Sequence, residues 1–196
     1  MLTDREAWVR ADPEDLWVYD KLILSRKLGY ICGPADVPVP YPDEYIVRPI
    51  TNILGMSIGA RKRWITRDTF FLDPGTFWCE VFTGKHLTYD YIDGNQAVCY
   101  EGFLAEGSLS KFVKWQKTSD KFTPPEFVLN LSKKYGHINI ECKGDKIIEM
   151  HLRPNPDWIQ YNADVLIPDW KETACPGKEY KYVKDADAGR LGFWIK

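Results

Sequence analysis

The chain has 196 residues, with 26 Lys and Arg against 28 Asp and Glu, a net charge of −2 and a pI near 6.0. That balance excludes a general attraction to nucleic acid or anionic membrane, and a 44% hydrophobic fraction suits a core in one domain or two small lobes. Five cysteines without a CxxC spacing exclude a zinc knuckle and a disulfide framework, which leaves reduced thiols.

The first segment, MLTDREAWVRADPEDLW, is charged and lacks the apolar stretch of a signal peptide. No apolar run is long enough to span a bilayer, so a soluble, cytoplasmic protein without a membrane partner is expected. Helical spacing of Leu16, Tyr19, Ile23 and Leu24 predicts a first helix over Pro13 to Leu28. Asp12 is its N-cap, Pro13 its first residue and Gly29 its stop. A proline-rich, extended loop follows, then a short buried strand, YIVRP, at Tyr45 to Pro49. Next comes ITNILGMSIGA, with Gly55 and Gly59 around Ser57, and the basic stretch Arg61-Lys62-Arg63.

Four β-prone runs follow the turn at Asp73-Pro74-Gly75, namely FWCEVF, KHLTYDYI, QAVCYEGFLA and LSKFVKWQK. Thr123-Pro124-Pro125-Glu126 opens a helix, EFVLNLSKKY, and Gly136 closes it. His137 to Asn155 then reads as a hairpin about Lys143-Gly144-Asp145. Its polar and apolar residues alternate on both strands. A three-residue loop would set Asn139 opposite Glu149 and His137 opposite His151, with all polar groups on one face. Beyond Asn155 the tail reads as aromatic and irregular, with a final strand LGFWIK. The class is α+β with mostly antiparallel strands.

Several residue types in this order carry chemistry. Arg48 ends an apolar strand just before a glycine-bearing loop, an arrangement that can grip phosphate through the guanidinium fork and backbone N–H groups. A surface Arg beside a turn would read the same way. Glu80 and His86 flank Gly84, where a carboxylate can accept from an adenine amine or ribose hydroxyls, or pair with Lys85. On the hairpin, Glu149 and His151 could hold a cation such as Mg²⁺, and Arg153 a substrate carboxylate, unless the face is only a solvated one. Arg61, Arg63, Trp64 and Trp115 could instead hold single-stranded nucleic acid by charge and stacking.

Taken in order, these pieces resemble the ATP-grasp family. The matching features are Asp20-Lys21, Arg48-Pro49, the Gly55–Gly59 loop, Glu80 in FWCEVF, His86 in GKHLTYDY, and Glu149-Met150-His151-Leu152-Arg153. The resemblance implies two β-rich lobes with flanking helices and a nucleotide cleft between them. It divides the chain into a small lobe with its flap at 1–76, a larger lobe at 77–160 and a packed tail at 161–196. It further implies ATP with Mg²⁺ or Mn²⁺, and a ligase that activates a carboxylate by phosphorylation. Lys21, Arg48, Gly55, Ser57 and Gly59 would hold phosphates, while Glu80, Phe82 and His86 line the nucleoside pocket. Asn139, Glu149 and His151 would hold metal, with Arg153 and Asn155 near the acceptor. Arg48 stands where the family has a Lys, Asn139 where it has an acid, and His151 where it has an Asn. The lobe that commonly precedes this core is nearly absent, so the tail or a partner protein would present the acceptor. A non-catalytic nucleotide- or macromolecule-binding module is the alternative.

Overall fold

The computed structural model describes residues 2–51, 59–159, 161–172, 174–187 and 189–196. Two antiparallel sheets form its frame. The smaller has the order β1-β4-β2-β3, built from β1 (Cys32–Pro34), β2 (Asp43–Pro49), β3 (Arg61–Ile65) and β4 (Thr76–Glu80). Its outer face buries Tyr45, Val47, Ile65 and Trp78 with Val39 and Leu72. Strand alternation leaves Ile46, Arg48, Phe77 and Cys79 for the inner face, because Ile46 pairs with Cys79 and Arg48 with Phe77. The flap residues Gly55 and Ser57 lie outside the described residues, and Gly59 just beyond them has a φ of +82°.

The larger sheet has the order β11-β12-β10-β7-β6-β5-β8-β9. Its first strands in sequence are β5 (His86–Ile92), β6 (Asn95–Leu104) and β7 (Phe112–Lys117), where the β-prone runs predict them. After α3 (Glu126–Tyr135) come β8 (His137–Lys143) and β9 (Lys146–His151). One face of β5, β8 and β9 is apolar. Leu87, Tyr89, Ile138, Ile140, Cys142 and Met150 pack there against Val128 and Leu131 of α3. Ile138 and Ile140 are completely buried, and each such side chain stabilises the fold by about 1.5–3 kcal/mol. The opposite face carries His86, Thr88 and Asp90 on β5 beside Lys143, Glu141 and Asn139 on β8. Further along that face, Tyr100, Trp115, Trp158, Leu166 and Phe193 form an aromatic wall.

Three expectations are corrected. The single helix over Pro13–Leu28 is a 3-10 helix (Pro13–Tyr19) followed by α2 (Lys21–Lys27). The break falls at Asp20, whose carboxylate caps α2 through Ile23 N–H at 2.7 Å while Lys21 N–H bonds Ile50 O at 2.8 Å. The tail is ordered rather than irregular: α4 (Pro156–Ile159) is followed by β10 (Val165–Asp169), β11 (Lys181–Asp187) and β12 (Arg190–Ile195), which extend the large sheet beyond β7. A short first helix, α1 (Asp4–Arg10), precedes them all, with a capping box between Thr3 and Glu6.

The hairpin register also differs. Lys143 pairs with Lys146, so the loop is the two residues Gly144-Asp145, with Gly144 at a φ of +60°. Glycine at the first central position is the type II′ pattern, whose twist matches the strands. A β-bulge then places Ile148 as the extra residue, so that Glu141 faces Glu149 and Asn139 faces His151. The polar groups still share one face, reached by a bulge instead of a longer loop.

Gly144 is tied to the segment joining the sheets. Its N–H bonds Lys85 O at 2.8 Å, and an added Cβ would lie 2.7 Å from Thr83 O. Gly144→Ala therefore meets both a left-handed backbone and a carbonyl that cannot move cheaply. A loss of about 1–3 kcal/mol in urea unfolding is expected, and a change within experimental error would contradict this packing.

Candidate functional site

The face of the larger sheet that bears polar residues meets the inner face of the smaller one. Between them lies a cavity of about 420 Å³. Ile46 and Arg48 of β2, Cys79 and Glu80 of β4, and Val81–Gly84 of the connecting segment line one side. His86, Lys143 and Ile148 line the other. The bulge is what turns Ile148 into this space while its neighbour Ile147 stays in the core. Four of the expected nucleotide residues, Arg48, Glu80, Phe82 and His86, are thus brought together.

Their side chains differ in what they offer. Arg48 is buried, its guanidinium 5.1 Å from the Phe77 ring, and its Nε has no hydrogen-bond partner among the described residues. Phe82 packs edge-on to Tyr30 with centroids 4.7 Å apart. His86 Nε2 lies 3.2 Å from Glu141, and its ring is edge-on to Phe112 and Trp115 across Gly102. Burial lowers the pKa of Lys143. The Glu80 carboxylate accepts from Ile31 N–H at 2.8 Å, and pairing with Tyr45 puts it on the outer face of its sheet. Its main chain is what remains for the cavity.

Beside Arg48 lies a buried charge cluster. Lys21 Nζ is 3.1 Å from Glu149 Oε2, and His151 Nε2 is 3.3 Å from Glu149 Oε1. Burial pushes the Glu149 pKa up, but Lys21, His151 and Arg48 outweigh it and hold the carboxyl below its ordinary range. On its far side His151 Nδ1 is 2.9 Å from Asp4, which also binds Arg153 through Nε at 2.6 Å and Nη2 at 2.7 Å. Burial raises the Asp4 pKa, yet the hydrogen bonds from His151 and Arg153 prevail and bring it to about 2. Burial and Arg153 disfavour charge on His151, while Asp4 and Glu149 favour it, and the net shift is upward. Lys21, Arg48 and Arg153 bring three positive charges against three carboxylates, Asp4, Glu149 and the neighbouring Glu141. Within this cluster the Arg48 Nε is left unpartnered beside the cavity, where it can meet an anion.

Oxygen donors for a cation occur on the same face. Glu149 Oε1 and Oε2 face His151 and Lys21, and Asn139 Oδ1 is buried without a hydrogen-bond donor among the described residues. Asn139 spends its Nδ2 on Thr88, Tyr89 O and Asp90, at 2.9, 3.1 and 3.0 Å. Glu141 stands opposite Glu149 in the ladder. Two carboxylates and an amide oxygen suit a hard divalent ion shared with phosphates. Among the described residues, the tightest acidic group lies elsewhere, at Asp12, Glu14 and Asp15, and Lys134 neutralises it at 2.7–3.0 Å.

The remaining expected residues separate from the cavity. Asn155 Oδ1 accepts from Asp157 N–H at 2.9 Å and so caps α4, and its own N–H donates to Asp90. Trp115 is buried in the aromatic wall and so leaves the stacking set expected for nucleic acid, and Arg61 pairs with Asp73 at 2.7 Å, while Arg63 and Trp64 stay exposed on β3. Four residues of the site were not singled out from sequence: Asp4, Asp90, Glu141 and Lys143. Asp90 was open to detection, since His86, Thr88 and Asp90 alternate as polar positions on a β-prone run.

No family model matches the chain, and no curated protein matches it in sequence. Solved structures do match. The L-amino acid ligase from Bacillus licheniformis superposes with a TM-score of 0.58 at 9% identity, over 92% of this chain and 66% of that one. The N5-carboxyaminoimidazole synthetase from Staphylococcus aureus gives 0.56 at 12% identity, over 90% and 66%. An ATP-grasp superfamily protein from Archaeoglobus fulgidus gives 0.51 at 14% identity, over 91% and 64%. The chain spans about two thirds of the length of each.

Proposed function

The chain has an ATP-grasp fold, and from that premise we propose that it is an ATP-dependent, metal-assisted ligase that activates a carboxylate by phosphorylation. The observation that carries this reading is Arg48, a buried guanidinium with an unpartnered Nε, lining a cavity between the two sheets. Arg48 and Lys21 would bind the phosphates. Ile46 and Ile148 would flank the nucleobase, and the main chain of Glu80 to Phe82 would offer it hydrogen bonds. His86, oriented by Glu141, faces the ribose. Glu149, Asn139 and Glu141 would hold Mg²⁺ or Mn²⁺, with His151 beside them, and the ion would neutralise phosphate charge. The nucleotide supplies the phosphoryl group. The protein would neutralise phosphate charge through Arg48 and Lys21 and present the acceptor carboxylate to Arg153.

ATP with Mg²⁺ is expected to raise the melting temperature, because a ligand held only by the folded state stabilises it. Glu149→Gln should abolish the metal-dependent part of the shift. An unchanged melting curve at millimolar nucleotide would overturn the reading. One observation favours a second reading, a nucleotide-binding module without turnover: Asp4 takes up the Nε–Nη2 edge of Arg153 with both of its oxygens. Such a module would bind ATP and release no ADP with any acceptor.

A further inference from the structure

All three guanidinium nitrogens of Arg153 are engaged within the chain. Nε and Nη2 hold the two oxygens of Asp4, and Nη1 donates to Pro154 O at 3.0 Å. A side-on, two-point carboxylate with an imidazole on one oxygen is how an arginine site holds a carboxylate ligand. Here the carboxylate comes from α1, which is 149 residues away in sequence.

The helix that carries Asp4 is weakly anchored. It has seven residues, too few to persist alone. Ala7 is its one buried residue, and Trp8 packs on Tyr19 at 5.1 Å. The other side faces solvent, with Val9 75% exposed.

The geometry points to a built-in plug: Asp4 occupies the Arg153–His151 site in the manner of a carboxylate ligand, and α1 must undock before an acceptor can enter. This rests on the proposed role of Arg153. In the competing account Asp4 is a fixed counter-ion that props the hairpin.

The test reads access to Arg153 in the full chain, without nucleotide or turnover. Phenylglyoxal modification of Arg153 is followed by peptide mass spectrometry, alongside hydrogen exchange. Asp4→Asn removes the ion pair. Ala7→Glu undocks α1 by bulk and leaves Asp4 in place. Labelling follows the open population, so both variants should raise it roughly tenfold or more over the native chain. Faster exchange should be confined to residues 2–11, and added acetate should slow Arg153 labelling in Asp4→Asn. Three results would each overturn the plug: Arg153 as unreactive in both variants as in the native chain, faster exchange spreading through β5, β8 and β9, or no protection by acetate. None of these bears on nucleotide binding, which the melting experiment decides separately.

Discussion

Asp90→Ala is expected to destabilise the protein by about 3–5 kcal/mol, since it strips the acceptor from several buried donors at once. The Asp90 carboxylate is fully buried and accepts from Asn139 Nδ2 at 3.0 Å, Asn155 N–H at 3.2 Å and Trp158 Nε1 at 3.0 Å. Those donors belong to β8, to the segment after the hairpin and to α4. One side chain therefore ties the chain that follows Arg153 back to the middle of the sheet. In alanine's place the Asn155 amide and the Trp158 indole keep no acceptor, whereas Asn139 retains Thr88 and Tyr89 O. Urea unfolding measures the loss, with Asp145→Ala on the exposed turn as a control expected to stay within about 0.5 kcal/mol. A loss for Asp90→Ala no larger than the control's would show that the network is not structural.

Arg48→Met should weaken nucleotide binding by roughly 10- to 100-fold, the loss expected for charge-assisted hydrogen bonds to phosphate. Methionine keeps the unbranched stem against Phe77 and removes only the charged fork. The free protein should lose little, because the burial cost of the Arg48 charge offsets its attraction to Glu149 and Glu141. Calorimetric titration of both proteins with ATP separates these effects. Equal affinity in the two would remove Arg48 from the phosphate site. Arg48→Lys should fall between them, retaining the charge without the two-point fork.

Much of the frame is legible in the residues. Period-two runs mark β2, β5 and β6, and EFVLNLSKKY between Pro125 and Gly136 marks α3, because each bears a local signal strong enough to survive folding. The rest depends on contacts that sequence spacing does not encode. The helix pattern across Asp20 is continuous, but an isolated bridge from Asp20 to Thr51 and the bond from Lys21 N–H to Ile50 O demand a break there. The polar face of the hairpin is readable from alternation. Its register is not, because the tight turn and the bulge at Ile148 offset each other. Thr3 and Glu6 do spell a capping box, yet a seven-residue helix leaves no periodic trace. Nothing local links Asp4 to Arg153, so the closure of that site is visible only in three dimensions.

The central claim is that a triphosphate is gripped between the arginine-bearing strand and the last hairpin. A crystal structure with a non-hydrolysable ATP analogue and Mn²⁺ tests it most directly. The account predicts phosphate density against Arg48 and Lys21, and an anomalous Mn²⁺ peak bonded to Glu149. Nucleotide bound away from this cavity, or no density in it at saturating analogue, would contradict the claim.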